Sequence, residues 1–358
     1  MRQKLPDFPW DALAPYGAIA KKHPQGAIDL SVGTPVDPTP EFIQKAFQEA
    51  SNSPSYPVTV GTPELREAIT AWAKKYLGAT GDFAVLPLIG SKEFVAWLPT
   101  FIEAQSVLFP DVAYPTYLVG SLLAEAKATP VSVDAAQWPQ ADMAWVNSPS
   151  NPTGRVHSES EFKAAIDWSR KNQSVVVSDE CYLEFGDSVK PTSILNYTGG
   201  DNTNILAVFS LSKRSSMAGY RAAFIVGDPA LIARILEVRK HAGMMVPLPV
   251  QVAMVAALSD ESHVAEQRAR YNARRATLTP ALQSAGFSIE NSEAGLYIWA
   301  TRNENCWDSV SWLAELGVIA TPGIFYGDLG ASHIRIAMTA TDAQIAEAAA
   351  RISSKVGA

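Results

Sequence analysis

The 358-residue chain predicts an α/β protein, with a large domain built on a mostly parallel sheet covered by helices and a smaller α+β C-terminal domain. Three observations carry this. Short β-rich apolar runs alternate with helical patterns from about residue 84 to 226, as strands covered on both faces by helices require. After Pro247-Leu248-Pro249 the order changes to long Ala- and Arg-rich helices followed by short strands. The length itself exceeds what one small core serves.

Taken in order, residues 1 to 44 form an arm and part of the small domain. This segment is rich in Pro and otherwise irregular, but it carries Trp, Phe and Tyr that need a surface to pack on, such as a second subunit. Within it, Asp29-Leu30-Ser31-Val32-Gly33-Thr34-Pro35 reads as a short strand entering a glycine turn. The large domain spans 45 to 245. Its first helix starts at Thr62 as N-cap with Pro63 next, and Leu65, Ile69, Trp72 and Tyr76 fall on one apolar face. Strands are expected at 84–89, 106–109, 143–147, 174–178, 205–209 and 222–226. Helices are expected at 92–101, 116–126 and 159–171, the last opened by a Ser158/Glu161 capping box. Residues 246 to 358 give helices at 250–258 and 261–285 and strands near 295–301, 318–321 and 333–338. A closing helix starts at a Thr341/Gln344 box and aligns Ile345, Ala349, Ile352 and Val356.

Composition narrows the function. With 47% hydrophobic and 18% charged residues the chain can pack a core. A net charge of −7, a pI near 5.3 and the lack of a basic stripe argue against nucleic-acid binding. Cys181 and Cys306 make neither a disulfide framework nor a metal spacing, which fits a reducing cytoplasm. The start lacks a signal-like apolar stretch, and no apolar run approaches the ~20 residues that span a bilayer.

The chemistry centres on Ser210-Leu211-Ser212-Lys213, where a strand ends, with Gly219 and Arg221 following. The carboxyl edge of an α/β sheet is where ligands bind. A lysine desolvated beside other cations loses its proton more readily and becomes a nucleophile, while an arginine fork suits a phosphate. Gly90-Ser91-Lys92 ends another strand and opens a helix, an arrangement that can present backbone N–H groups to an anion. Tyr114-Pro115-Thr116-Tyr117, Asn147-Ser148-Pro149-Ser150-Asn151-Pro152-Thr153-Gly154 and Asp179-Glu180-Cys181-Tyr182 each follow a strand. Arg335 interrupts the apolar run His333 to Met338, and a buried arginine needs an answering group, either an internal acid or a bound carboxylate.

In this order the elements resemble the class I/II aminotransferases of fold-type I, which use pyridoxal 5'-phosphate (PLP), and the likeness runs from residue 29 to 338. Two substitutions depart from the family pattern: Val112 stands for a usual proline, and Ser148 for a usual asparagine. The resemblance implies that Lys213 holds PLP through an imine and then shuttles a proton. Ser91, Lys92, Ser210, Ser212 and Arg221 would grip its phosphate, and Tyr114 would stack on its ring. Asp179 would keep the ring nitrogen protonated, while Asn151 and Tyr182 would bond the phenolic oxygen. Arg335, with Gly33 and Asn151 beside it, would clamp the substrate α-carboxylate. Tyr56, in Tyr56…Gly61-Thr62-Pro63-Glu64-Leu65-Arg66, would reach the partner's phosphate in a homodimer. No metal is implied. The strings LIGSKE, RKHAGMMVPLPVQ and GIFYG are similar to the actinobacterial type of N-succinyldiaminopimelate aminotransferase of lysine biosynthesis. A distal succinyl carboxylate would want a cation, and Lys92, Arg155, Arg214 and Lys240 all stay open. So do aspartate, alanine or aromatic specificity, carbon–sulfur β-lyase chemistry and a non-catalytic PLP-binding regulator.

Overall fold

In the computed structural model, residues 5–354 are described; Val356 of the expected closing helix, and the first four residues, lie outside them. Strand β1 (Ile28–Asp29) belongs to the smaller domain. Strands β2 (Ala84–Ile89), β3 (Ser106–Pro110), β4 (Lys127–Val131), β5 (Met143–Asn147), β6 (Val175–Asp179), β7 (Ile205–Ser210) and β8 (Ala222–Gly227) form one seven-stranded sheet ordered β2-β8-β7-β6-β5-β3-β4. Neighbours pair in parallel except at β8, which runs antiparallel to both β2 and β7. Two apolar clusters cover its faces. Near-continuous burial of β5, β7 and β8 matches their unbroken apolar sequence.

The smaller domain is a four-stranded antiparallel sheet, β12-β13-β10-β9, with β9 (Ser288–Glu290), β10 (Tyr297–Thr301), β12 (Thr321–Pro322) and β13 (His333–Ala337). Strand β11 (Val318–Ile319) pairs in parallel with β1, so the N-terminal segment is built into this domain. That segment is also more regular than its prolines suggest. It carries a 3-10 turn at Pro9–Leu13 and a helix at Ala14–Ala20.

Most expected elements are found within two residues of their bounds, and two differences have physical causes. The helix opening at Thr116 stops at Leu123, and strand β4 follows where helix was expected to 126. β4 holds Lys127 and Pro130 and pairs only with β3, and an edge strand tolerates both residues. Tyr76 is not on the buried face of Leu65, Ile69 and Trp72; it is 40% exposed. The helix Pro63–Trp72 widens into a π turn at Ala73–Leu77, which advances the register and buries Leu77 instead. Helices at Glu41–Glu49, Pro229–Ala242 and Cys306–Glu315 were not anticipated. Both capping boxes form.

Candidate active site

The carboxyl ends of β5, β6 and β7, the turn after β2 and the amino-terminal end of β8 all face one cavity of about 660 Å³. Tyr297 from β10, Arg335 from β13 and the N-terminal residues Phe8 to Trp10 and Val32 to Thr34 complete its wall. The parallel strands put their loops at one edge, and the small domain closes over that edge.

Lys213 lies in a short helical turn, Leu211–Arg214, capped by the Ser210 hydroxyl, which accepts from the Ser212 N–H at 3.2 Å. Its amine donates to the Gly33 carbonyl. Burial, reinforced by the nearby Arg335 and Arg221 charges, pulls the amine down to about 8, so it sheds its proton far more readily than a surface lysine. Gly33 has a steric reason to be glycine: a Cβ there would sit 2.1 Å from the Tyr297 hydroxyl oxygen.

An anion cradle adjoins the lysine. Gly90 precedes helix Ser91–Phe101, whose first N–H groups have no intrahelical acceptor. The Arg221 guanidinium packs so close to Gly90 that a Cβ would meet Nη2 at 2.0 Å. Arg221 itself takes a left-handed φ of 57°, uncommon for a residue with a side chain, and donates to the Ala218 carbonyl at 2.9 Å. A helix N-terminus, a guanidinium and the hydroxyls of Ser91, Ser210 and Ser212 therefore converge, and such a donor set suits a phosphate.

Asp179 ends β6, buried. It accepts from the Tyr117 hydroxyl at 2.9 Å and from the Cys181 N–H at 3.2 Å, and burial raises its pKa. A buried carboxylate with two neutral donors and no cation is suited to a protonated ring nitrogen. Asn147 braces this corner, donating to the Asp179 carbonyl at 2.9 Å and accepting the Asn151 N–H at 2.7 Å. Tyr114 borders the cavity, and burial takes its hydroxyl up to about 12. The Tyr182 hydroxyl contacts that of Tyr297 at 3.1 Å.

Arg335 is 2% exposed. It donates to Asn151 Oδ1 at 2.9 Å and to the Ser31 carbonyl at 2.5 Å, and it lies 4.0 Å over the Tyr297 ring. Its Nε has no partner, and among the described residues it makes no ion pair. Of the two answers considered for this charge, the internal acid is absent.

The cavity brings together all the residues expected to hold the cofactor or clamp the α-carboxylate save Tyr56, which is 92% exposed and takes no part in the wall. The four cations considered for a distal carboxylate separate. Arg214 is buried between Glu184 at 2.7 Å and Glu261 at 2.9 Å, Arg155 pairs with Glu161, and Lys240 pairs with Glu237 at 2.6 Å. These three are already answered and lie off the cavity wall; only Lys92 lines it, its amine 5.7 Å from the Phe8 ring centroid. Sequence reasoning missed the roles of Tyr117, Asn147, Tyr297 and Trp10. The doubled tyrosine of the YP run was the signal available for Tyr117; for Tyr297 and Trp10 none was.

The family model for "Aminotransferase class I and II" matches residues 25–352. The chain belongs to that family. Its members depend on PLP, and the cradle, Lys213 and Asp179 fit that cofactor. One relative, "4-dedimethylamino-4-oxo-anhydrotetracycline transaminase OxyQ" of Streptomyces rimosus, is 50% identical over 98% of this chain and 100% of its own. An "LL-diaminopimelate aminotransferase" of Dehalococcoides mccartyi is 34% identical over 94% and 93%. Among solved structures, substrate-bound BacF of Bacillus subtilis superposes with a TM-score of 0.88 at 26% identity, covering 99% of this chain and 96% of that one. This aminotransferase acts on amino and 2-oxo acids. No helix among the described residues is long and apolar enough to cross a membrane.

Proposed function

We propose that the chain transfers an amino group between N-succinyl-LL-2,6-diaminopimelate and 2-oxoglutarate, with Lys213 as the proton-handling base and Arg335 as the carboxylate clamp. The observation that carries the clamp is the buried Arg335, which has no internal acid and opens on the same cavity as the Lys213 amine. A guanidinium in that state is satisfied by a two-pronged carboxylate. Every amino and 2-oxo acid supplies one.

Bound PLP supplies an electron sink for the pair released at the substrate α-carbon. The chain does the rest. Ser91, Lys92, Ser210, Ser212 and Arg221 hold the phosphate, Tyr114 covers the ring, and Asp179, fixed by Tyr117, holds a proton at the ring nitrogen. Asn151 and Tyr182 orient the phenolic oxygen. With its amine near 8, Lys213 can take the α-proton and return it to the carbon on the other side of the transferred nitrogen. The apolar wall of Trp10, Tyr114 and Tyr297 keeps water from that proton.

Lys92, exposed on the cavity wall and without a carboxylate partner among the described residues, supports a donor with a distal anionic group. The relatives named LL-diaminopimelate aminotransferase support a long dicarboxylic donor. A second reading, amino transfer to a tetracycline-like 4-oxo compound, is favoured by the 50% identity to the Streptomyces rimosus transaminase and by the aromatic wall at Phe8 and Trp10. Donor profiling against 2-oxoglutarate separates them. A specificity constant at least about tenfold higher for the succinylated donor than for glutamate, aspartate or alanine is expected. Equal rates for all donors would remove the succinyl assignment and leave the aminotransferase.

The proposed assembly is a cytoplasmic homodimer in which Tyr56, exposed within one chain, serves the partner's cofactor. Mixing inactive Lys213→Ala and Tyr56→Ala chains should restore part of the activity; a fully active monomer would refute the sharing.

A further inference from the structure

Arg274 stands in the long helix Ser262–Ser284 and does not line the cavity, yet it ties together the two segments that meet at Arg335. Residues 30 to 39 have no helix or strand of their own. Three successive carbonyls of this segment are each held by a side chain from elsewhere in the fold. Ser31 accepts from Arg335 and from the Thr321 hydroxyl at 2.7 Å, Val32 accepts from the Thr339 hydroxyl at 2.7 Å, and Gly33 accepts from Lys213. An irregular segment keeps such an alignment only if it is anchored beyond it.

The anchor is Asp37. Arg274 grips it with both prongs, Nη2 to Oδ1 at 2.7 Å and Nη1 to Oδ2 at 2.9 Å, and Gln267 from the same helix adds a bond to Oδ2 at 2.8 Å. Burial would raise the Asp37 carboxyl, but the Arg274 and Gln267 bonds outweigh it and hold the group below its usual range. Arg274 Nε donates to Asp342 at 2.7 Å, at the start of the closing helix, and Nη1, which also holds Asp37, reaches at 3.4 Å the carbonyl of Met338, directly after the strand that bears Arg335. One guanidinium thus bridges the loop that presents the Ser31 and Gly33 carbonyls and the strand that presents Arg335. The Arg274 and Asp37 side chains are 3% and 12% exposed, so the bond between them is shielded from solvent, whereas Asp342 stands in it.

We propose that Arg274, acting through Asp37 and supported by Gln267, is a positioning residue for substrate: it fixes the spacing between the Ser31–Gly33 loop and Arg335 that receives a carboxylate. This rests on the reading of Arg335 as the carboxylate clamp. Loosening the bridge weakens binding of both substrates, because both carry that carboxylate, and leaves Lys213 chemistry at saturation largely intact. A merely structural ion pair would lower the melting temperature without moving KM.

The test uses the PLP-loaded enzyme with three substitutions, measuring KM and kcat for an amino donor and a 2-oxo acid, the cofactor absorbance and Tm. Arg274→Lys keeps the charge but loses the fork, and KM for both substrates should rise about tenfold with kcat within about threefold. Gln267→Met, which removes one neutral donor, should raise both KM values about threefold. The cofactor band should stay in place. Normal KM values in Arg274→Lys and Gln267→Met, beside a raised KM in Arg335→Lys, would overturn this proposal alone, whatever happens to Tm. A normal KM in Arg335→Lys would remove the clamp reading and this proposal with it. If Arg274→Lys does not fold, Gln267→Met decides.

Discussion

Two buried arginines flank the lysine turn, Arg214 next to Lys213 in sequence and Arg335 beside it in space, and their surroundings differ in one respect. Arg214 sits in an acid-lined crevice with Glu184 and Glu261 at 2.7 and 2.9 Å and the Trp72 ring 5.3 Å away. Arg335 has rings and neutral oxygens around it and, among the described residues, no carboxylate. Burying a guanidinium without an acid is costly unless a ligand brings one. The first arrangement is finished within the chain; the second is completed by substrate. Sequence alone could not separate them, since the acids that answer Arg214 come from residues 184 and 261, far from it in the chain.

The strongest way to break this comparison is at the residue between the two. Lys213→Ala should lower transamination by at least about 1000-fold and abolish borohydride fixation of the yellow cofactor. A label mapping to any other lysine would move the catalytic centre. Next come the arginines themselves. Arg335→Lys should reduce the specificity constant about 30- to 1000-fold, or about 2–4 kcal/mol, for every donor and 2-oxo acid, with Tm nearly unchanged. Arg214→Gln should do the reverse. It strands two acids, should cost about 3 kcal/mol and several degrees of Tm, and should leave KM within about threefold. An exchange of these two phenotypes would invert the assignment.

A milder effect sharpens the electrostatics. The unprotonated amine is the nucleophile that captures cofactor, and Lys213 sits near 8 because burial and two arginines disfavour its charge. The rate at which apoenzyme takes up PLP should therefore rise about tenfold per pH unit below 8 and level off above it. A flat profile between pH 6 and 9 would show an amine that is already neutral. The smallest expected change is on the cavity wall. Lys92→Ala should raise KM about three- to tenfold for a donor with a distal carboxylate and not at all for alanine. An equal rise for both would return Lys92 to the phosphate cradle alone.

Legibility followed the architecture. Residues that follow a strand of the parallel sheet, such as Ser91, Tyr114, Asn151, Asp179 and Lys213, were readable because the strands are apolar runs and ligands gather at their carboxyl edge. The substrate side was not. Arg335 draws its neighbours from residues 31, 151, 297 and 326, and no local period encodes their meeting. Tyr117 is mainly core: it stacks on Trp145 at 5.0 Å and spends only its hydroxyl on Asp179. The strand at Lys127 to Val131 was hidden by an edge position that needs little apolar pattern, and the shift at Tyr76 by a widened turn that a fixed 3.6-residue period misses.

The antiparallel course of β8 has one more consequence. A parallel successor to β7 would have to cross the sheet and begin at its far edge, some twenty ångströms from the lysine by the rise of six extended residues. Because β8 turns straight back, Ser210 pairs opposite Ala223, and Arg221 enters at the same rim that Lys213 leaves. The seven residues between lysine and arginine are thus the span of a single reversal. A residue inserted between them would shift the guanidinium relative to the amine, while one inserted near Gly227, at the opposite rim, would fall where neither group is felt.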